Sequence, residues 1–337
     1  MRRFLTLALA AAVFATATAS GAGEEDRTPA ALPLESEGQL RFFVDISSFR
    51  GDASPTDVEI FTSITNDQLE YRAEDKDDSE SPRSGRIRME ITIRDESGDK
   101  AFASKNTLDP AAANELDATD RAIVQVLRET TQLEPGLYHL QVSLTDEFGL
   151  RTGLLNRIRR SYRSGAVEGW FQVGDMTSEA LAVSDLTMIR GWEVSGDESV
   201  FGRHGVDFDP NPQRHYGLVL PRARYYLEVY PGQEYQEGDT YLLQAQVIDK
   251  AGIPRLERTT RAKPHEDRFV VADELSLERG VPAGTYQLAV TVLSERTRES
   301  VRVIQPFEVI WSVASWGKDP DELLQEMALI MSEKDYR

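Results

Sequence analysis

Two stretches far apart in this chain say nearly the same thing. Residues 133–149 read LEPGLYHLQVSLTDEFG, and residues 280–296 read GVPAGTYQLAVTVLSER. Each sends a Pro/Gly turn into a run where apolar and polar residues alternate. In the first, Tyr138, Leu140, Val142 and Leu144 alternate with His139, Gln141, Ser143 and Thr145; in the second, Tyr286, Leu288, Val290 and Val292 alternate with Gln287, Ala289 and Thr291. Successive strand side chains point to opposite faces, so each run buries one face and wets the other. That is the signature of antiparallel sheet, because parallel strands are buried on both sides. The echo extends further. Ile91–Gly98 (ITIRDESG) parallels Ala245–Gly252 (AQVIDKAG), and Val58-Glu59-Ile60-Phe61 parallels Leu227-Glu228-Val229-Tyr230. Three landmarks in the same order predict a duplicated domain with unequal loops.

Further strands are expected at Leu40–Ser47, Val58–Ile64, Arg86–Asp95, Tyr225–Tyr230, Tyr241–Asp249, Val301–Ile304 and Phe307–Trp311, with turn residues between them. Ala122–Leu127 reads as a strand in that context. Ser184–Ile189 reads as an early strand of the second copy, followed by a long polar loop carrying Gly196, Gly202 and Gly205. Helix signals are few. Asp109–Leu116 predicts a short surface helix opening with Asp-Pro, and Asp319–Arg337 spaces Leu323, Leu324, Met327, Leu329, Ile330 and Met331 as an amphipathic helix with Pro320 at its first position. The expected fold class is therefore all-β: two tandem immunoglobulin-like antiparallel β-sandwiches, at 39–175 and 176–312, with a linker and short C-terminal amphipathic helix at 313–337. Tyr138 and Tyr286 open their strands behind a Pro/Gly turn. They are expected to be structural corners, with the ring in the core and the hydroxyl on a backbone group, as in the tyrosine corner of such sandwiches.

The first residues point to export. Met1-Arg2-Arg3 is a basic n-region, Phe4–Ala15 is apolar, and the small residues Ala17-Thr18-Ala19 and Ser20-Gly21-Ala22 follow. Residues 1–22 are expected to be a Sec-type signal peptide, since the apolar run is too short to span a bilayer. Residues 23–38, acidic and proline-bearing, read as a flexible leader. No second long apolar run follows, so no transmembrane segment is expected after cleavage and the protein should be periplasmic or secreted. The absence of cysteine excludes disulfides, a lipidated cysteine and a thiol nucleophile. A formal net charge of −19 repels nucleic acid.

Candidate chemistry is sparse. His139, His204, His215 and His265 are scattered without zinc-ligand spacing. Asp207-Phe208-Asp209-Pro210-Asn211 places carboxylates and an amide at alternate positions, but Pro212 and Leu218 stand where a calcium loop needs Gly and Glu. The acidic run Glu74–Glu80 reads as a solvated hairpin loop. No nucleophile elbow, P-loop or dinucleotide fingerprint occurs, and no cofactor is expected. Arg151, Arg157, Arg159, Arg160 and Arg163 form the one basic concentration, a candidate partner-binding patch or an exposed hairpin paired to the acidic excess. Trp170, Trp192, Trp311 and Trp316 offer either a sugar-stacking platform or packing between and within domains, and packing is the expected role.

Four stretches carry a family resemblance: Phe43–Arg50 (FVDISSFR), Val183-Ser184-Asp185-Leu186, Asp209–Gly217 (DPNPQRHYG) and Tyr225–Tyr230 (YYLEVY). Over about residues 39–337 the chain resembles the upstream β-rich region of bacterial GWxTD domain-containing proteins. The naming motif itself is absent, because Gly191-Trp192 is followed by Glu193-Val194-Ser195. The resemblance implies a secreted bacterial protein and supplies no catalytic residues. Together these features lead us to expect a non-enzymatic interaction or scaffold protein of the cell envelope, binding a protein or envelope component through sandwich edges and loops. The alternatives are an accessory region of a truncated envelope-acting enzyme, or a carbohydrate-binding module.

Overall fold

A computed structural model of the chain describes residues 27–51, 55–75, 77–150, 161–176, 180–194, 201–264, 268–278 and 280–311. The signal-peptide segment, most of the basic concentration, His265, Trp316 and the C-terminal helix expected from the sequence lie outside the described residues.

The described chain is all-β and forms two sandwiches. In the first, one sheet runs in the order β1 (Leu34–Glu35), β3 (Phe42–Phe49), β4 (Thr56–Thr65), β10 (Val124–Leu133). The facing sheet runs β2 (Glu37–Gly38), β12 (Tyr162–Val173), β11 (Gly136–Leu150), β7 (Ile87–Asp95), β8 (Lys100–Leu108). A small flap of β5 (Arg72–Ala73), β6 (Arg83–Ser84) and β9 (Ala111–Ala112) closes one corner. In the second sandwich, one sheet orders β13 (Ala182–Val183), β18 (Arg222–Tyr230), β14 (Thr187–Val194), β16 (Val206–Pro210) and β15 (Gly202–Arg203), with β21 (Phe269–Ser276) on the other side of β18. Its partner sheet orders β17 (His215–Gly217), β23 (Ser300–Ile310), β22 (Gly284–Ser294), β19 (Tyr241–Asp249), β20 (Pro254–Ala262).

The two halves share one topology. The trio β3-β4-β10 corresponds to β14-β18-β21, and the quartet β12-β11-β7-β8 to β23-β22-β19-β20. Registers agree at the repeated phrase: Tyr138 sits opposite Asp95 and Phe171, as Tyr286 sits opposite Asp249 and Phe307. Each half buries its own core, around Ile91, Leu140 and Val142 in the first and Val247, Leu288 and Val290 in the second.

Several expectations change. Residues 27–38 are part of the first sandwich rather than a loose leader. Leu34 is buried, β1 pairs with β3, and β2 pairs with β12. The close approach depends on Gly165, where an added Cβ would lie 2.2 Å from the Leu40 carbonyl oxygen. The helix expected at 109–116 starts later, at Glu115–Thr119, because the Asn114 side chain accepts from Asp117 N–H and caps it; Ala111–Ala112 is a strand. Part of the polar loop expected after Ile189 is instead strand: β14 runs on to Val194 and pairs with β16, and β16 pairs with β15, while Gly196 lies outside the described residues. Val301–Ile304 and Phe307–Trp311 merge into one strand through Pro306. Glu308 N–H bonds outward to Arg214 C=O, so Pro306, two residues back, faces the same outer side and removes no bond to β22.

Candidate functional site

The strands β3, β4 and β18 are buried on both faces. One face of each enters its own core. The other faces the opposite sandwich, so the two trios meet sheet to sheet. Phe49, Phe61, Ile189, Phe208 and Tyr226 form the apolar centre of this junction, with Trp192, Phe201, Val206 and Val270 around it. The Phe208 and Tyr226 rings stack at 4.5 Å, and Phe61 meets Phe208 edge-on at 6.4 Å.

Charged clusters flank that centre. Glu59 and Glu228, which occupy equivalent places in the duplicated β4 and β18, are both fully buried. Arg203 from β15 lies between them, donating Nη1–H to Glu59 Oε1 at 2.9 Å and Nε–H to Glu228 Oε1 at 2.7 Å, with its guanidinium 4.2 Å from the Phe49 ring centroid. Arg128 of β10 also donates to Glu59. Glu228 accepts from Tyr226 Oη–H at 3.2 Å and Tyr230 Oη–H at 2.8 Å, and His204 Nε2 stands 3.5 Å away. On another flank, the buried Arg214 donates to both oxygens of Asp45, to Leu32 C=O at 2.9 Å and to Gln305 Oε1 at 2.7 Å. Thr187 Oγ1–H donates to Ser47 Oγ at 2.8 Å, and Asp185 exchanges two bonds with the Ser48 backbone.

The two equivalent glutamates titrate in opposite directions for a geometric reason. Burial pushes Glu228 up, but hydrogen bonds from His204 and Arg203 and the Arg203 charge outweigh it and hold the carboxyl at about 2. Burial pushes Glu59 up and prevails over Arg128 and Arg203, because Glu59 Oε2 is buried without a hydrogen-bond partner. Burial also depresses His215 to about 4; its ring meets Phe43 edge-on at 5.6 Å, and Nε2 lies 3.4 Å from Glu308. Glu59, Glu228 and Asp45 thus each pair with an arginine inside the junction, which compensates their buried charge.

The residues singled out from the sequence fall in separate places. Tyr138 Oη–H donates to Glu134 C=O at 2.9 Å and Tyr286 Oη–H to Pro282 C=O at 3.0 Å, the same corner made twice. Arg163 alone of the basic concentration is described, and it donates to the buried Asp146 at 2.8 Å. Arg151, Arg157, Arg159 and Arg160 lie outside the described residues. Trp170 packs beside His139 on the outer face of the first sandwich, Trp192 flanks the junction, and Trp311 donates Nε1–H to Val281 C=O beside the second core, so these three do not share a platform. Asp207 and Asp209 lie on strand β16, where Arg190 meets Asp209 at 3.4 Å. Among the described residues no cluster of His, Asp or Glu is arranged to hold a metal ion, and no helix is long and apolar enough to cross a membrane.

Sequence reading missed the junction. The stretches Phe43–Arg50, Val183–Leu186, Asp209–Gly217 and Tyr225–Tyr230 supply Asp45 and Phe49, Asp185, Arg214 and His215, and Tyr226, Glu228 and Tyr230, all of them junction residues.

No family model matches the chain, and no curated protein matches it. Among solved structures it is similar to pT26-6p, at 9% identity and TM-score 0.21, covering 92% of this chain and 71% of that one. It is also similar to a calcium-binding mutant of Bacteroides uniformis beta-glucuronidase 2, at 12% identity and TM-score 0.20, over 89% of this chain and 31% of that one. A third likeness is to Bifidobacterium dentium beta-glucuronidase complexed with coumarin-3-O-glucuronide, at 9% identity and TM-score 0.23, over 84% of this chain and 50% of that one. The chain thus spans half or less of the two glucuronidases, and at these TM-scores no activity transfers from them.

Proposed function

We infer that the chain is an exported, non-enzymatic interaction and scaffold protein of the bacterial cell envelope. Its two sandwiches act as one rigid unit and bind partners through outer sheet edges and loops. The observation that carries this reading is the use made of the chemically capable side chains. Glu59, Arg128, Arg203, Glu228, Asp45 and Arg214 are buried against one another at the junction. The signal-like first residues and the resemblance to the β-rich region of GWxTD domain-containing proteins support the exported bacterial setting. Sandwiches commonly work in this manner, a stiff frame presenting edges and loops.

The test has two arms. Cell fractionation should find the protein in the periplasm or medium, with residues 1–22 removed when its N-terminus is sequenced. The purified mature protein should release no product from peptidoglycan or from an aryl glucuronide. Retention in the cytoplasm, or turnover of either substrate, would overturn the reading.

A further inference from the structure

The duplicated sandwiches treat their equivalent outer edges differently. Strand β8 closes the first sheet and β20 closes the second; each pairs with one neighbour, β7 or β19, and among the described residues no strand covers the far side of either. Asp95 N–H donates to Asp99 C=O, which turns the backbone groups of odd-numbered β7 residues toward β8. Their partners Ser104, Asn106 and Leu108 therefore bond inward, and Ala103, Lys105 and Thr107 aim N–H and C=O outward. The matching outward positions on β20 are Glu257, Thr259 and Arg261.

An open edge invites another strand, and proteins guard such edges with proline and charge. Strand β20 is guarded: it opens with Pro254 and carries Arg255, Glu257, Arg258 and Arg261. Strand β8 is not. Its stretch Ala101–Asn106 holds one charge, Lys105, and that side chain folds back onto Glu90 at 2.8 Å. Ala103 and Thr107 are exposed and short, leaving the peptide groups accessible. Local charge is also inverted. Strands β7 and β8 carry Arg88, Arg94, Lys100 and Lys105 against Glu90 and Asp95, in a chain whose net charge is −19. The opposite edge of this same sheet already takes an acidic extended segment in cis, with Glu37–Gly38 pairing to β12.

We propose that the outer edge of β8 binds an extended acidic peptide segment of a partner protein by β-strand addition, with Ala103, Lys105 and Thr107 supplying the main-chain bonds and Lys100, at the head of the strand, the charge complement. This names the binding edge within the scaffold reading above and rests on it.

The test uses the mature full-length protein and a synthetic peptide, Glu-Val-Thr-Val-Thr-Val-Thr-Glu. Amide hydrogen exchange followed by NMR should show the Ala103, Lys105 and Thr107 amides exchanging freely alone and protected with peptide, while Glu257, Thr259 and Arg261 stay unchanged. Ala103→Pro should abolish protection. Lys100→Glu, which leaves the backbone able to pair, should weaken binding about tenfold. Absence of protection at saturating peptide, or equal protection on β20, overturns the proposal and leaves the scaffold reading standing. Protection without peptide, accompanied by a doubled mass in light scattering, overturns it in favour of a second copy. Turnover of an envelope polymer would instead sink the scaffold reading without touching the peptide result.

Discussion

Replacing Arg203 with methionine keeps the side-chain stem and removes the cation between the two buried glutamates. The guanidinium makes one charge-assisted hydrogen bond to Glu59 and one to Glu228, both fully buried. Such bonds contribute about 1.5–3 kcal/mol each, so two give about 3–6 kcal/mol. Arg128 still holds Glu59, and Tyr226 and Tyr230 still hold Glu228, which favours the lower part of that range. The expected loss is about 3–4 kcal/mol at pH 7, in keeping with about 3–5 kcal/mol for stranding a buried charge. The acid dependence has a definite sign. The folded Glu228 carboxyl is held at about 2, below its unfolded value, so its contribution is present above about pH 4.3 and fades as pH falls toward 2. The gap between native protein and Arg203→Met should therefore narrow below about pH 4. Urea unfolding followed by tryptophan fluorescence and circular dichroism measures it. Adding Glu228→Gln to Arg203→Met should recover most of the loss, because Glu59 keeps Arg128 and the Glu228 charge is no longer stranded. A loss under about 1 kcal/mol at pH 7, or a gap that widens in acid, refutes the reasoning.

Tyr138→Phe and Tyr286→Phe each remove one hydroxyl bond from an equivalent corner, and each should cost about 1 kcal/mol in chemical denaturation; unequal effects would mean the corners are not equivalent. Burial depresses His215 to about 4, so stability should fall as pH drops from about 6.5 to about 4, by about 1–3 kcal/mol, and His215→Gln should flatten that slope in the same assay. Gly165→Ala places a methyl against the Leu40 carbonyl and should detach residues 37–40 from β12, seen as fast amide exchange at Gln39 and as increased proteolysis near there.

Where one strand face meets solvent, the sequence was easy to read. Ile87–Asp95, Gly136–Leu150 and Gly284–Ser294 bury every second residue, and their alternation announces them. The junction strands were harder, because both faces of Phe42–Phe49, Thr56–Thr65 and Arg222–Tyr230 are buried and the period vanishes. Glu59 and Glu228 then look like surface charges. One clue did exist: both copies put a glutamate at the same place inside an otherwise apolar run. Arg203 and Arg214 had no such echo, since the carboxylates they meet in the other sandwich, Glu59 and Asp45, lie 144 and 169 positions away in sequence. Residues 27–38 looked loose because a two-residue strand is too short to show periodicity, and only the pairing with Val44 and Gly165 reveals it.

The account turns on two like-folded sandwiches being locked together through their junction sheets. The chain has no cysteine, so a pair introduced at the exposed hairpin tips, Glu96→Cys and Ala251→Cys, can carry two spin labels without interference. Double electron–electron resonance on that protein should give one narrow distance distribution, and adding Arg203→Met should broaden it. A broad or multimodal distribution in the protein with Arg203 intact would show sandwiches that move independently, and would contradict the account.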